Sequence, residues 1–412
     1  MKRSFGVIGL MVLGTLVFGV MVAAQQQVTI TFWHTYSVEE AKFLVTRVIP
    51  AFEALHPNIK VKEVTIPYDV YREKLLTAIA AGEVPDVARV DIIWVPELAK
   101  MGVLSALDLL MPDFGDYKDR MFPGPLATNF WAGHYYGLPL NTNTRVLVWN
   151  KEMYDAAGIK GPPQTIEEFR AVCKAIKALG PDKYGFVDGG TYGWAVLPWI
   201  WSFGGDITDP NMIRATGYLN GPDTVAAYEF LRELFAEGHI SPMIVGEAII
   251  GAFEGYAQNV YANLLEGPWV GPIMKSMFPQ KELHLALVPA GKGGSVSVVG
   301  GENIVLFEGS RNKEAALEFI RFMLSPSVQL AMADVGLITA LAPLAKLWEN
   351  DPYLGVFMEQ LKTARPRLVH PAWAKIEVVL TRAGQEILLG VKTPQQALDD
   401  AAKQIDQILA EQ

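Results

Sequence analysis

Three strand-like runs separated by two helical ones constrain this chain most. VTITFWHT, IKVKEVTIP and DVARVD alternate with SVEEAKFLVTRVIPAFEALHP and YREKLLTAIAAGEVP. Ser37 followed three residues on by Glu40 marks the first helix start, because a hydroxyl and a carboxylate at that spacing satisfy each other's free N–H groups. The β-α-β-α-β order predicts an α/β lobe with a mainly parallel sheet, since strands running the same way need a crossover between them. At 412 residues the chain exceeds what one hydrophobic core usually serves, so a second lobe is expected.

Further along, YYGLPLNTNTRVLVWNKEMYDAAG reads as strand text leading into a helix, and LHLALVPAG as a strand. SVSVVGGENIVLF is a strand interrupted by Gly300 and Gly301, while the C-terminal third is helical, closing with TPQQALDDAAKQIDQILAEQ behind a Thr393–Pro394 start. The formal charge is -9 and no basic block occurs, which argues against nucleic acid. MKRSFGVIGLMVLGTLVFGVMVAAQQQ has Lys2 and Arg3, an apolar run to Ala24 and small residues at Val22 and Ala24, the grammar of a secretory signal over residues 1–24. An uncleaved anchor is the alternative. Cys173 is the sole cysteine, so no disulfide forms within the chain, and no lipid-bearing cysteine stands at the cleavage point. The mature protein is expected free in a periplasmic space.

Catalytic signatures are missing: no G-x-S-x-G, no G-x-x-x-x-G-K, and six scattered histidines without an H-x-x-x-H pair. No metal, no cofactor and no enzyme activity are expected, although two acids distant in the chain can still form a glycosidase pair. Aromatic and polar residues do gather at element ends. Trp33, His34 and Tyr36 follow the first strand, Tyr68 the second, and Asp91 and Trp94 the third. Ligands of open α/β sheets collect at the carboxyl ends of strands. A sugar suits such a rim: its C–H faces pack on aromatic rings and its hydroxyls need paired donors and acceptors. The segment GGTYGWAVLPWIWSFGGD adds a second cluster. Helical spacing puts Trp194 and Trp201 on one face, read as facing the ligand, and Trp199 and Phe203 on another, read as core. Pro198 suggests that the helix begins only there.

FWHTYSVEE, VIPAFEALHPNIKVKEVTIPYDVYREKLLTAIAAGEVPDVARVD, LLEGPWVGP, SVVGGENIVLF and SRNKEAALEFIRFMLSPSVQLAMA together resemble the extracellular solute-binding proteins of carbohydrate ABC transporters, the maltose-binding-like family. The resemblance runs along the whole chain after the leader. It implies a two-lobe periplasmic-binding-protein fold with an interdomain hinge, a ligand cleft and a helical C-terminal region. The chain would cross between lobes near Leu140–Thr144, Val299–Gly301 and Asn350–Tyr353. Residues 25–140 and 300–352 would then form lobe 1, and 141–299 and 353–412 lobe 2. By motif it adds Asn143, Trp269, Glu302, Asn303, Arg367 and Trp373 to the ligand set. It implies a monomer that binds a mono- to oligosaccharide and delivers it to membrane permease subunits. An extracytoplasmic carbohydrate-active enzyme, or a binder of a polyol or polyamine, is the competing reading.

Overall fold

The computed structural model describes residues 27–411, so the signal expected over residues 1–24 lies outside them. Strand β1 (Val28–His34) leads into helix α1, which runs Val38–Phe43, through a π-helical turn at Leu44–Val48, to Ile49–Leu55. The Ser37–Glu40 capping box forms as the spacing predicts. Strand β2 (Ile59–Thr65), helix α2 (Tyr68–Ala81) and strand β3 (Val87–Asp91) complete the first unit. β1 pairs in parallel with β2 and with β3, as crossover helices require.

The sheet is nevertheless mixed rather than mainly parallel. Strand β4 (Leu138–Thr144) and the late strand β8 (Val298–Leu306) enter it side by side, antiparallel to each other, and β8 also lies antiparallel to β3. Two short edge pieces, β9 (Ile338–Thr339) beside β4 and β10 (Arg365–Pro366) beside β8, bring the sheet to seven strands among the described residues. The cause is connectivity: β8 returns from the second lobe, so its direction is fixed by where the chain comes from, not by a βαβ crossover.

Between these strands the chain builds a smaller sheet, in which β5 (Val146–Trp149) is flanked by β6 (Asn263–Glu266) and β7 (His284–Ala286). Only Arg145 separates β4 from β5. Each lobe has its own apolar interior. On the large sheet, period-two alternation sends Ile30, Phe32, Ile304 and Leu306 to one face and Ala88, Val90, Val305 and Phe307 to the other. In the second lobe, helix α3 (Ile166–Lys177), helix α4 (Gly193–Phe203) and helix α5 (Pro222–Ala236) close over the small sheet, while helix α6 (Trp373–Leu388) and helix α7 (Pro394–Ala410) pack against α4. No helix of the described residues is long and apolar enough to cross a membrane.

Helix α4 departs from the sequence reading in two ways. It starts at Gly193 and carries Pro198 in its interior. It is also apolar all round and buried on nearly every side, as such helices are. Trp199 is 1% exposed and sits among Phe169, Phe186 and Phe230. Trp201, expected at the ligand, is 4% exposed and lies in the core instead. Its indole N–H reaches Asp206 at 3.2 Å, and the Arg365 guanidinium covers its ring at 4.7 Å. Because Trp199 fills the centre of one cluster, Trp199→Ala should cost about 3–5 kcal/mol of unfolding free energy, measured by urea denaturation.

Candidate functional site

Where the two sheets meet lies a cavity of about 550 Å³. Its first wall stands at the ends of the first three strands, as expected, but of the residues foreseen there it keeps only Tyr68 after β2 and Asp91 on β3, joined by Thr35, Ser37 and Glu40 after β1 and Arg89 on β3. Its floor is Asn141, Thr142 and Asn143 of β4 beside Gly300, Gly301 and Glu302 of β8. Its opposite wall is Tyr192, Trp194, Pro268, Trp269, Arg367 and Glu377, with Gly336–Ile338 at one side.

Sheet register explains the polar floor. Glu302 lies directly opposite Asp91 on one side and Asn141 on the other. Two carboxylates facing each other across a ladder repel, so each needs a counter-charge. Arg367 Nη2 reaches Asp91 Oδ1 at 2.9 Å, and Arg89 Nη2 reaches Glu302 Oε2 at 2.6 Å. Asn141 Nδ2 donates to Glu302 at 2.6 Å, and Arg89 Nη1 to the Thr35 hydroxyl at 2.7 Å, with its guanidinium 4.2 Å over the Tyr36 ring. Burial lifts the Glu302 carboxyl above its ordinary range, with Arg89 pulling the other way. Tyr68 donates its hydroxyl to Asp91 at 2.7 Å, and the residue stays 47% exposed with its ring stacked on Trp94 at 5.7 Å.

The two glycines have separate reasons. A Cβ on Gly300 would come within 2.2 Å of Asn143 Oδ1 and 2.6 Å of the Trp194 ring. Gly301 takes φ +127, in the region that disfavours side chains. Both are strand residues within β8, not a break in it. Bare backbone here lets Asn143 and Trp194 close over the floor.

Of the sequence-selected residues, Tyr68, Asp91, Asn143, Trp194, Trp269, Glu302 and Arg367 line the cavity. The others are placed elsewhere. Trp33 packs on the far side of the sheet, and its carbonyl accepts the Tyr71 hydroxyl at 3.2 Å. His34 is buried, its Nδ1 accepting the Tyr36 N–H at 3.3 Å and its Nε2 meeting Glu63 at 3.0 Å. Burial, with Arg89 nearby, pushes the His34 pKa down to about 3, so the ring is neutral and structural. Tyr36 is buried under Arg89, and Trp94 under Tyr68. Asn303 points away from Glu302, as strand neighbours do, and binds Thr128 and Asn129 at 3.0 and 2.9 Å. Trp373 lies beneath Gly193, where an added Cβ would meet its ring at 2.6 Å.

Sequence reading missed Thr35, Ser37, Glu40, Arg89, Asn141, Tyr192 and Glu377. Arg89 had a signal: in DVARVD it stands two residues before Asp91, hence on the same strand face. Glu377 stands one helical turn beyond Trp373 on α6. That motif pointed at the right helix and the wrong turn.

Two buried side-chain atoms of cavity residues, Asn143 Oδ1 and Arg367 Nε, have no hydrogen-bond partner, and the Glu377 carboxylate beside them accepts the Gly193 N–H. All three surround Trp194. Asn143 and the ring both abut the Gly300 position, Glu377 Oε1 lies 2.9 Å from where a Gly193 Cβ would be, and the Arg367 guanidinium is 5.4 Å from the ring. Trp269 continues the surface, its ring 6.2 Å from that of Trp194. Two acceptors and one donor about an aromatic ring match adjacent hydroxyls on a ligand with an apolar face. Gly300→Ala should displace Trp194 and alter near-ultraviolet circular dichroism, at a cost of about 1–3 kcal/mol. Gly115→Ala, where an added Cβ meets nothing within 4 Å, should leave the spectrum unchanged.

A family model described as bacterial extracellular solute-binding protein matches residues 37–330. An ABC transporter solute-binding protein from Thermotoga lettingae, solved with α-D-tagatose bound, superposes with a TM-score of 0.83 at 25% identity, covering 92% of this chain and 99% of that one. The sugar-binding protein MalE from Xanthomonas citri superposes with a TM-score of 0.80 at 26% identity, covering 93% and 98%. A protein of Brucella abortus named as a binding protein is 28% identical over 369 residues, 87% of this chain and 88% of its own.

Proposed function

The chain belongs to the bacterial extracellular solute-binding proteins, and on that premise we propose that it captures a mono- to oligosaccharide in this cleft and hands it, as a monomer, to the permease subunits of an ABC importer. One observation carries the sugar reading: Asn143 and Arg367 each hold an unpartnered buried polar atom around the Trp194 ring, with the Glu377 carboxylate beside them. Leaving such a group unpaired costs about 1–3 kcal/mol, so a ligand that supplies the missing partners gains specificity as well as affinity. Hydroxyls serve because each both donates and accepts. The related structures point the same way: one protein holds tagatose, and another is a sugar-binding protein.

Capture needs no bond to break. The lobes would rock about β4 and β8, and the solute would favour the closed arrangement by binding it more tightly than the open one. The Arg367–Asp91 ion pair spans the two walls and would close with them. The lobe boundaries set out from the sequence belong to this same proposal, as does an extracytoplasmic location.

Thermal shift against glucose, tagatose, maltose, trehalose, cellobiose and maltotriose, with spermidine and glycerol 3-phosphate as non-sugar arms, tests the reading. A sugar at 100 times its dissociation constant stabilises by about 2.7 kcal/mol. Shifts with spermidine or glycerol 3-phosphate and none with any sugar would sink the carbohydrate reading. Hydrolysis of any glycan in the panel would overturn pure binding. Trp194→Ala should weaken the best sugar by roughly 30-fold, measured by calorimetry, the loss typical of an aromatic anchor.

A further inference from the structure

Behind the Trp194–Trp269 wall lies a charge cluster, Arg145 and Asp188 buried and Glu266 half-buried, that the binding reading leaves unused. Arg145 occupies the single residue between β4 and β5. Its Nη1 donates to the Trp194 carbonyl at 2.9 Å, its Nε to the Leu265 carbonyl at 3.1 Å, and its Nη2 to Asp188 Oδ2 at 2.9 Å as well as to Leu265. The Trp194 carbonyl is free for a specific reason. In an α-helix it would accept the N–H of the residue four ahead, and that residue is Pro198, which has none. Leu265 in turn precedes Glu266, whose Oε2 accepts the Trp269 indole N–H at 2.9 Å. One guanidinium thus ties down both segments that carry the cleft tryptophans, and one carboxylate fixes a ring. The cluster is also tied to the crossing strands, because the Ser297 hydroxyl donates to the Arg145 carbonyl at 2.7 Å.

We infer that Arg145 and Glu266 are positioning residues for solute binding: they set the joint orientation of Trp194 and Trp269 without touching the solute. The inference rests on the carbohydrate reading for its ligand. Around Glu266 stand the Arg145 guanidinium, the Asp188 carboxylate, the Trp269 indole and the Gly267 N–H, with the Tyr192 and Tyr353 hydroxyls also within reach of its charge. Burial lifts the Glu266 carboxyl to about 7, with Arg145 opposing and Asp188 adding to the rise. An ionised carboxylate holds an N–H more firmly than a neutral acid does. Solute affinity therefore falls as pH drops through about 7.

Stability moves the other way. The folded-state pKa lies above the ordinary 4.5, so this group favours the fold at low pH, and its contribution is lost as pH rises through about 7. A residue that merely held the fold together would not show opposite trends in binding and stability.

Calorimetry on the full chain, with the panel sugars as probes at pH 5.5 and 8.5, tests this directly. Wild-type affinity should be about tenfold weaker at the lower pH, the factor that one unit of pKa coupling carries. Glu266→Gln should bind with the weaker affinity at both pH values, yet melt at a higher temperature than wild type at pH 8.5. Arg145→Lys keeps the charge beside Asp188 but loses the fork, and should lower affinity about tenfold at pH 8.5. A pH-independent wild-type affinity, or a Glu266→Gln affinity equal to wild type at pH 8.5, overturns the inference. The ¹⁵N-labelled indole N–H of Trp269 gives a readout that needs no sugar. It should titrate near pH 7 in wild type and stay constant in Glu266→Gln. A constant wild-type resonance overturns the positioning role even if no panel sugar binds, an outcome that would separately defeat the carbohydrate reading.

Discussion

Everything about the cleft depends on two strands that leave the large sheet together. β4 and β8 are paired to each other up to Thr144 and Val299, and both then pass to the second lobe. Because the crossing strands are hydrogen-bonded neighbours, their backbone forms the floor over which the lobes face each other. The floor has to be thin, which is why Gly300 lacks the Cβ that would strike Asn143 and Trp194. It also has to be chemically neutralised, because register sets Asp91 and Glu302 side by side. Arg367 and Arg89 answer that need, one carboxylate each.

From this floor outward, the site is a gradient from fixed to open. Arg89 is fully engaged with Thr35, Glu302 and the Tyr36 ring. Tyr68 is anchored through its hydroxyl and by stacking on Trp94, and stays half-exposed. Asn143 and Arg367 keep capacity unspent. Such an arrangement is preorganised for a ligand bearing both an apolar face and hydroxyls, since the protein groups lose little freedom when it arrives. Glu266 shows what this organisation costs: a carboxylate kept half-buried behind the aromatic wall at the expense of part of its own solvation.

Much of this was legible in the chain. The first β-α-β-α-β unit, the Ser37–Glu40 cap and the rim of Tyr68 and Asp91 follow from periodicity and from where strands end. Trp194, Trp269, Asn143, Glu302 and Arg367 came from motif resemblance and line the cavity. Four of the misplacements share one cause. Trp33, Trp94, Trp201 and Trp373 are aromatic residues near the right elements, and composition does not distinguish a ring that faces a cleft from one that fills a core. His34 looked like a polar ligand and is a buried neutral spacer. Asn303 lost its place to strand alternation, which gives adjacent residues opposite faces.

The sequence by itself determined the strand and helix order, the helix caps and the presence of aromatic rings at strand ends, because these depend on local spacing and backbone preference. Tertiary structure alone decided that β8 returns antiparallel, that Asp91 meets Glu302, that Pro198 frees a carbonyl for Arg145, and that Glu377 rather than Trp373 reaches the cleft. Those facts depend on contacts between segments as far as 276 positions apart, as from Asp91 to Arg367, and no local pattern carries the position of a partner that far away.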